Sequence, residues 1–203
     1  MAKINYLIGK QGFERVRERL GEIITDELAN QVTLDTQNPA DINAKVWAER
    51  GQAFDVSELP AINIILAKGN FDNEDSQTTD GTYTFMIDAY SSAASKDGKD
   101  GDFLTALKIQ RMIGIIREVL CDHQYRTLGF APGFIGHVDV NNISFPDPLQ
   151  IHDAQSANVG RLQLTVRLIE SATPEEPLLI GSFKTSVKIS TTNKGYLFVG
   201  YNY

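Results

Sequence analysis

The 203-residue chain has one cysteine, one tryptophan and three histidines. A single thiol, Cys121, excludes an internal disulfide and any multi-cysteine metal centre. Its place in an apolar helical run makes it a packed thiol rather than a nucleophile. His123, His137 and His152 do not fall at metal-ligand spacing. The chain has no G-x-S-x-G, no phosphate-binding G-x-x-x-x-G-K, no G-x-G-x-x-G and no H-E-x-x-H, so hydrolase, nucleotide and zinc-protease chemistries lose their usual signatures. No apolar run approaches the roughly 20 residues that span a bilayer. The first twenty residues are charged too early for a signal-peptide core, so a soluble, intracellular protein is expected. There is no basic excess either. Lysine and arginine number 19 against 26 aspartates and glutamates, for a net charge of −7 and a pI near 5.0. That balance argues against broad nucleic-acid binding, which needs a positive surface.

What is present is a hydrophobic fraction of 42%, enough for a substantial core, and one well-marked centre, Gly81–His123. TYTFMIDAY alternates as a strand, with Tyr83, Phe85, Ile87 and Ala89 on one face and Thr82, Thr84, Met86, Asp88 and Tyr90 on the other. The run that follows predicts a helix over Asp102–Asp122, with Asp102 as N-cap. Ala106, Ile109, Ile113, Ile116 and Leu120 form one face. Further apolar residues, including Phe103, Leu107, Met112 and Ile115, widen the stripe and predict cover on more than one side. Strand and helix are expected to pack on each other.

Before this centre, Phe13, Val16, Leu20, Ile23, Ile24 and Leu28 mark a helix over Gly12–Asn30. Arg15, Arg17, Glu18, Arg19 and Glu22 lie on its other face, which reads as solvated. Val32–Ala44 reads as a polar loop. Lys45–Arg50 is a short strand whose Trp47 is assigned to the core. Gly51–Glu58 is a loop, and Pro60 opens a β-branched strand with Asn63 embedded in it. Beyond the centre, His137–Phe145 alternates weakly. Arg161–Glu170 alternates cleanly, with Leu162, Leu164, Val166 and Leu168 opposite Arg161, Gln163, Thr165 and Arg167. Such alternation marks a sheet with one covered and one polar face. ATPEEP, Ala172–Pro177, reads as a linker to a hairpin turning at Thr192–Gly195.

Two acidic turn regions invite a metal. Asp72, Glu74, Asp75 and Asp80 could ligate a hard cation such as calcium, but their spacing does not fit an EF-hand, and a mobile hairpin loop accounts for them. In KDGKDGD, carrying Lys96, Asp97, Lys99, Asp100 and Asp102, the glycines Gly98 and Gly101 account for the pattern as tight turns before a helix cap. His137 and Asp139 share a strand face, and with Asp88 they could in principle hold a metal for a hydrolase. Ordinary structural roles account for all three. No enzyme, cofactor or metal is therefore expected.

The element order describes an α+β protein: a mostly antiparallel sheet with two main helices packed on one face over residues 1–171, and a C-terminal β-hairpin extension over residues 172–203. The run of FERVRERL, LPAINIILAKGN with its acidic loop, YTFMIDAYSSA, LTALKIQRMIGIIREVL, GHVDVNNISF and RLQLTVRLIES resembles the tail terminator proteins of long-tailed bacteriophages and related contractile particles. The resemblance is one of element order and covers roughly Gly12–Ser171. The segment Val32–Ala44 and the hairpin after Pro177 depart from it.

The resemblance implies a structural protein of the virion at the head–tail junction, assembled in the host cytoplasm. It implies a homo-oligomeric, hexameric ring that caps the growing tail tube, stops its polymerisation and offers a surface to neck or connector proteins. The tail tube protein is the expected partner, with the sheath added where the tail is contractile. DNA passes only in transit, and no membrane is involved. Exposed strand edges and a C-terminal arm carrying Phe183, Lys184, Val187, Lys188, Tyr196 and Phe198 are the candidate inter-subunit contacts. The loops Asn70–Asp80 and Ser91–Gly101 are expected at one end of the sheet, facing tube or lumen, where acids would repel DNA phosphates. The alternatives are a head–tail connector of the same particle, a metal-dependent hydrolase on Asp88, His137 and Asp139, and a generic intracellular α+β binding module.

Overall fold

The computed structural model of the chain describes residues 7–35, 38–72, 80–146, 156–170, 184–188 and 196–200. Helix α1, Gly12–Leu34, starts where the Glu14 carboxylate accepts the Gln11 N–H at 2.8 Å and the Glu170 carboxylate accepts the Gly12 N–H at 2.7 Å. Carboxylates at this end satisfy free N–H groups and oppose the positive end of the helix dipole. Val16, Leu20, Ile23, Ile24 and Leu28 are buried along one seam. The helix runs four residues beyond Asn30, because Val32 still packs on the core. The expected polar loop therefore begins later, and it contributes the fully buried Ile42 just after the 3-10 turn Pro39–Asp41.

Strand β1, Lys45–Ala48, runs parallel to β2, Ala61–Phe71. The remaining pairings are antiparallel: β2 with β3, Gly81–Ala93; β3 with β5, Ser156–Leu168; and β5 with β4, Ile135–Ser144. The sheet order is β1-β2-β3-β5-β4. Helix α2, Gly101–Cys121, joins β3 to β4 through a short turn region. Residues of both helices bury against one sheet face in a single cluster that includes Ile62, Ile64, Tyr83, Phe85, Ile87, Ala89, Leu162, Leu164, Val166 and Leu168. This is an α+β protein with a mostly antiparallel five-stranded sheet.

Gly160 lets α2 come close to the sheet. A Cβ there would lie 2.4 Å from Ile109 Cγ2 and 3.0 Å from Ile113 Cγ1. In the turn before α2, Lys96 and Lys99 exchange backbone hydrogen bonds across Asp97 (φ 53°) and Gly98 (φ 74°). Two consecutive positive φ values make a tight hairpin turn of the primed kind. Gly101 has a different role from the expected turn glycine. It opens α2 within reach of the Ala93 carbonyl, where a Cβ would sit at 2.4 Å.

Four further expectations are corrected. Asp102 lies inside the first turn of α2. Asp100 is the capping position, and the Ser95 hydroxyl accepts the Gly101 N–H at 3.1 Å. Met112 and Ile115 are covered, but Phe103 and Leu107 are 52% and 46% exposed, so the cover of α2 is one-sided toward its start. Cys121 is exposed, because it ends the helix on the face away from the sheet. Trp47 is half-buried and outside the core cluster, on the sheet face opposite α1 and α2.

The chain divides into two compact units, Met1–Thr173 and Pro174–Tyr203. In the second, β6 (Lys184–Lys188) pairs antiparallel with β7 (Tyr196–Gly200), Lys184 opposite Gly200 and Lys188 opposite Tyr196. Of the expected arm residues, Lys184, Val187, Lys188, Tyr196 and Phe198 lie on these strands, while Phe183 lies outside the described residues.

Candidate functional site

The sheet face away from the helices carries the chemistry. Strand register aligns Trp47, Asn63, Asp88, Arg161 and Ser144 in one row across all five strands. Asn63 and Asp88 are only 3% and 1% exposed, although they interrupt strongly apolar strands. A buried polar group needs partners, and each has them. Asn63 Nδ2 donates to the Arg50 carbonyl at 2.8 Å, and its Oδ1 accepts the Arg50 N–H at 3.0 Å. This reciprocal pair fastens the segment after β1 onto the sheet. Asp88 takes the Arg161 guanidinium in a fork, Nε to Oδ1 and Nη2 to Oδ2, both at 2.7 Å. Bidentate pairing of this kind is strong and directional.

Around the row stands an aromatic and cationic wall. The Arg50 guanidinium grips both oxygens of Glu58, at 2.7 and 2.8 Å, and lies 4.8 Å from the Trp47 ring and 4.4 Å from the Phe54 ring. The Lys45 ammonium is 4.0 Å from the Trp47 ring. Phe54 packs on Tyr90 with centroids 5.0 Å apart. Between these groups is a cavity of about 470 Å³, bounded by Phe54, Leu59, Ile65, Tyr90, Asp88 and Arg161. Burial, and then the neighbouring Asp88 carboxylate, push the Tyr90 phenol up to about 12. Its hydroxyl donates to Asp88 Oδ2 at 3.3 Å. The bond from Arg50 holds the Glu58 carboxyl below its ordinary value. Charges here are matched pair by pair, so the cavity offers aromatic walls and locked dipoles rather than a net charge.

The far end of the same face is built differently. Arg167 pairs with Asp72 at 2.7 Å and His137 with Asp139 at 3.2 Å, the first pair about a third exposed and the second about half or more. The Asp72 N–H donates to the Asp80 carbonyl at 3.0 Å, closing the β2–β3 connection. Asp72 is therefore an ion-pair partner at the root of the acidic loop. Glu74 and Asp75 lie outside the described residues.

The two loops expected at one end of the sheet lie at opposite ends. One leaves at Phe71–Gly81 and the other at Ala93, the two limits of β3, roughly 40 Å apart along a 13-residue strand. Lys96, Asp97, Lys99 and Asp100 sit on the second. The Asp88, His137 and Asp139 grouping is likewise separated. His137 aligns through Arg167 with Thr82, six residues along β3 from Asp88, or about 20 Å. Among the described residues, no three His, Cys, Asp or Glu side chains converge on a metal-sized site.

Sequence reasoning noted Asn63 and Asp88 but not their partners Arg50 and Arg161. The available signal was an amide and a carboxylate set singly in apolar strands, which demand partners from elsewhere in the chain. Fold and site together define an α+β protein with one helix-covered sheet face and one polar, cavity-bearing face. The sequence matches no protein-family model and no curated protein.

Proposed function

We propose that this chain is a structural protein of a phage-like particle, a tail terminator that closes into a ring, caps the tail tube and presents a surface to the neck. The observation that supports this most is the sheet face opposite the two helices. Its thirteen-residue central strands β3 and β5 carry half-buried Thr82, Thr84, Met86, Gln163 and Thr165 between the two arginine–carboxylate pairs. A broad, charge-balanced face of this sort suits a fixed neighbour or a wall past which DNA slides without sticking. The order of elements that resembles the terminators is the second support.

In this reading ring contacts come from sheet face, helices and C-terminal hairpin rather than from the β4 edge. That edge is broken by bulges at Gly136 and at Asn141, and exposes His137, Asp139, Asn141 and Asn142. Bulges and polar residues of this kind blunt edge-to-edge pairing. No helix among the described residues is long and apolar enough to cross a membrane.

The test is the mass of the purified protein by light scattering, alone and with a polymerising tail-tube protein. A ring, or a monomer that becomes one on short tubes and halts their growth, is the expected result. A persistent monomer that leaves tube length unchanged overturns the reading. Binding to portal-side proteins instead of tube subunits reassigns the chain to the connector class. Replacing the acids of Asn70–Asp80 with lysine is expected to slow DNA passage if that loop lines the lumen. Normal passage with lost capping places the loop at the tube.

A further inference from the structure

We propose that two copies of this chain associate through the outer face of α2, antiparallel about Gly114. The contact does not rest on the ring reading. Gly114 sits in mid-helix, where glycine is the poorest residue after proline. It is exposed, and a Cβ there would meet nothing within 4 Å. Nothing within the described chain therefore accounts for the missing side chain, whereas a second helix crossing at this point would.

The residues flanking Gly114 complete the case. At 100° per residue, Phe103, Leu107, Gln110, Gly114, Arg117 and Cys121 fall in one outward stripe with four- and three-residue steps, the spacing of a helix–helix seam. All are exposed. Beside Gly114, on the flank toward α1, Arg111 and Glu118 border a groove of about 350 Å³ floored by Ile115 and Val119. Among the described residues, Gln110, Arg111, Arg117 and Glu118 have no ion-pair or side-chain hydrogen-bond partner.

A two-fold axis beside Gly114 that reverses the helix direction keeps each flank facing itself. Arg111, three residues before the glycine, then meets Glu118, four residues after it, on the other copy. Gln110 meets Arg117 in the same way on the opposite flank. Each contact occurs twice, and Leu107 lies opposite the other copy's Cys121. The face is thus complementary in charge to itself, as an isologous contact must be. Opposed macrodipoles favour the antiparallel sense. Combined with a ring, this contact would join two rings back to back.

Sedimentation over a wide range of concentration tests the proposal, with the full chain. A single helix pair buries less than a standard interface, so the expected dimer is weak and concentration-dependent. Arg111→Glu is expected to weaken it roughly tenfold, because two exposed attractions become repulsions. Glu118→Arg is expected to do the same, and the double variant to restore the wild-type value. All these positions are exposed, so an unchanged melting curve confirms that the variants fold.

Oxidation fixes the orientation. Leu107→Cys beside native Cys121 is expected to give a covalent dimer, and the same variant with Cys121→Ser none. In the antiparallel pair the two native thiols are about 21 Å apart along the axis, so the wild type should stay uncrosslinked. A wild-type protein that remains monomeric throughout overturns the proposal. So does a dimer indifferent to Arg111→Glu, or a ready Cys121–Cys121 disulfide, which marks a parallel pair.

Discussion

The two faces of the sheet solve the same problem by different means. On the helix side, Phe85, Ile87, Leu162, Leu164 and Val166 are fully buried and are held by apolar contact alone. On the other side Asp88 is just as buried, yet among the described residues it sits under no helix. It is shielded by the segment after β1 and by its own partners Arg161 and Tyr90. Apolar packing is tolerant of which neighbour supplies the carbon. A buried carboxylate needs a particular donor at a particular place, because an unpaired charge in that environment is far costlier than a missing methyl. The helix face therefore sets stability broadly, and the open face sets the position of one segment.

The contrast can be tested by breaking each face in turn. Phe85→Ala should cost about 3–5 kcal/mol, the ordinary effect of emptying an aromatic site in a packed core, read as a shift in the urea midpoint. Asp88→Asn should cost about 2 kcal/mol. That is below the usual 3–5 for breaking a buried pair, because Arg161 keeps 41% of its side chain in solvent. Replacing Asp88 and Arg161 together by apolar residues should recover part of that loss, and a double variant worse than the sum of the singles would contradict the account.

A single phenol tests the open face without a large perturbation. The folded Tyr90 phenol is raised to about 12 from its ordinary 10.0. Between these values the folded phenol keeps its proton where the unfolded one has lost it, so Tyr90's contribution to stability is constant below about pH 10 and falls as pH rises toward 12. Tyr90→Phe should remove part of that fall, and an unchanged alkaline melting profile would show that Tyr90 is not what titrates. The smallest effect is expected at Asp72, whose 2.7 Å bond to Arg167 matches the Asp88 pair in length but lies in partial solvent, 33% and 39% exposed. Asp72→Asn should cost less than about 1 kcal/mol and become silent at high salt, as exposed pairs do.

Much of the fold was readable from periodicity. The alternation at Tyr83–Ala89 and Leu162–Leu168 and the helical spacing at Val16–Leu28 each report which side of an element is apolar, and a side must be buried somewhere. Where reading failed, the missing information was long-range. An apolar run assigns Cys121 to the core and residue type assigns Trp47 there, but the exposed position of Cys121 at the end of α2, and the side of the sheet to which β1 presents Trp47, depend on packing. Asp102 reads as the cap because the competing role of Ser95, six residues before Gly101, is not visible in a local pattern. The resemblance sets the two polar loops together at one end of the sheet. Chain order already separates them, since one precedes β3 and the other follows it, at the two limits of a single extended strand.

By itself, then, the amino-acid sequence determined the class of the fold, the identity of its two main helices and the two-faced character of its sheet, since these follow from local spacing of apolar residues. Tertiary structure alone decided that Asp88 meets Arg161 and Asn63 meets Arg50, and that no other described element packs over Gly114 and its flanking charges. Those facts are fixed by strand register and helix rotation, which join residues far apart in the chain and leave no trace in any short stretch of it.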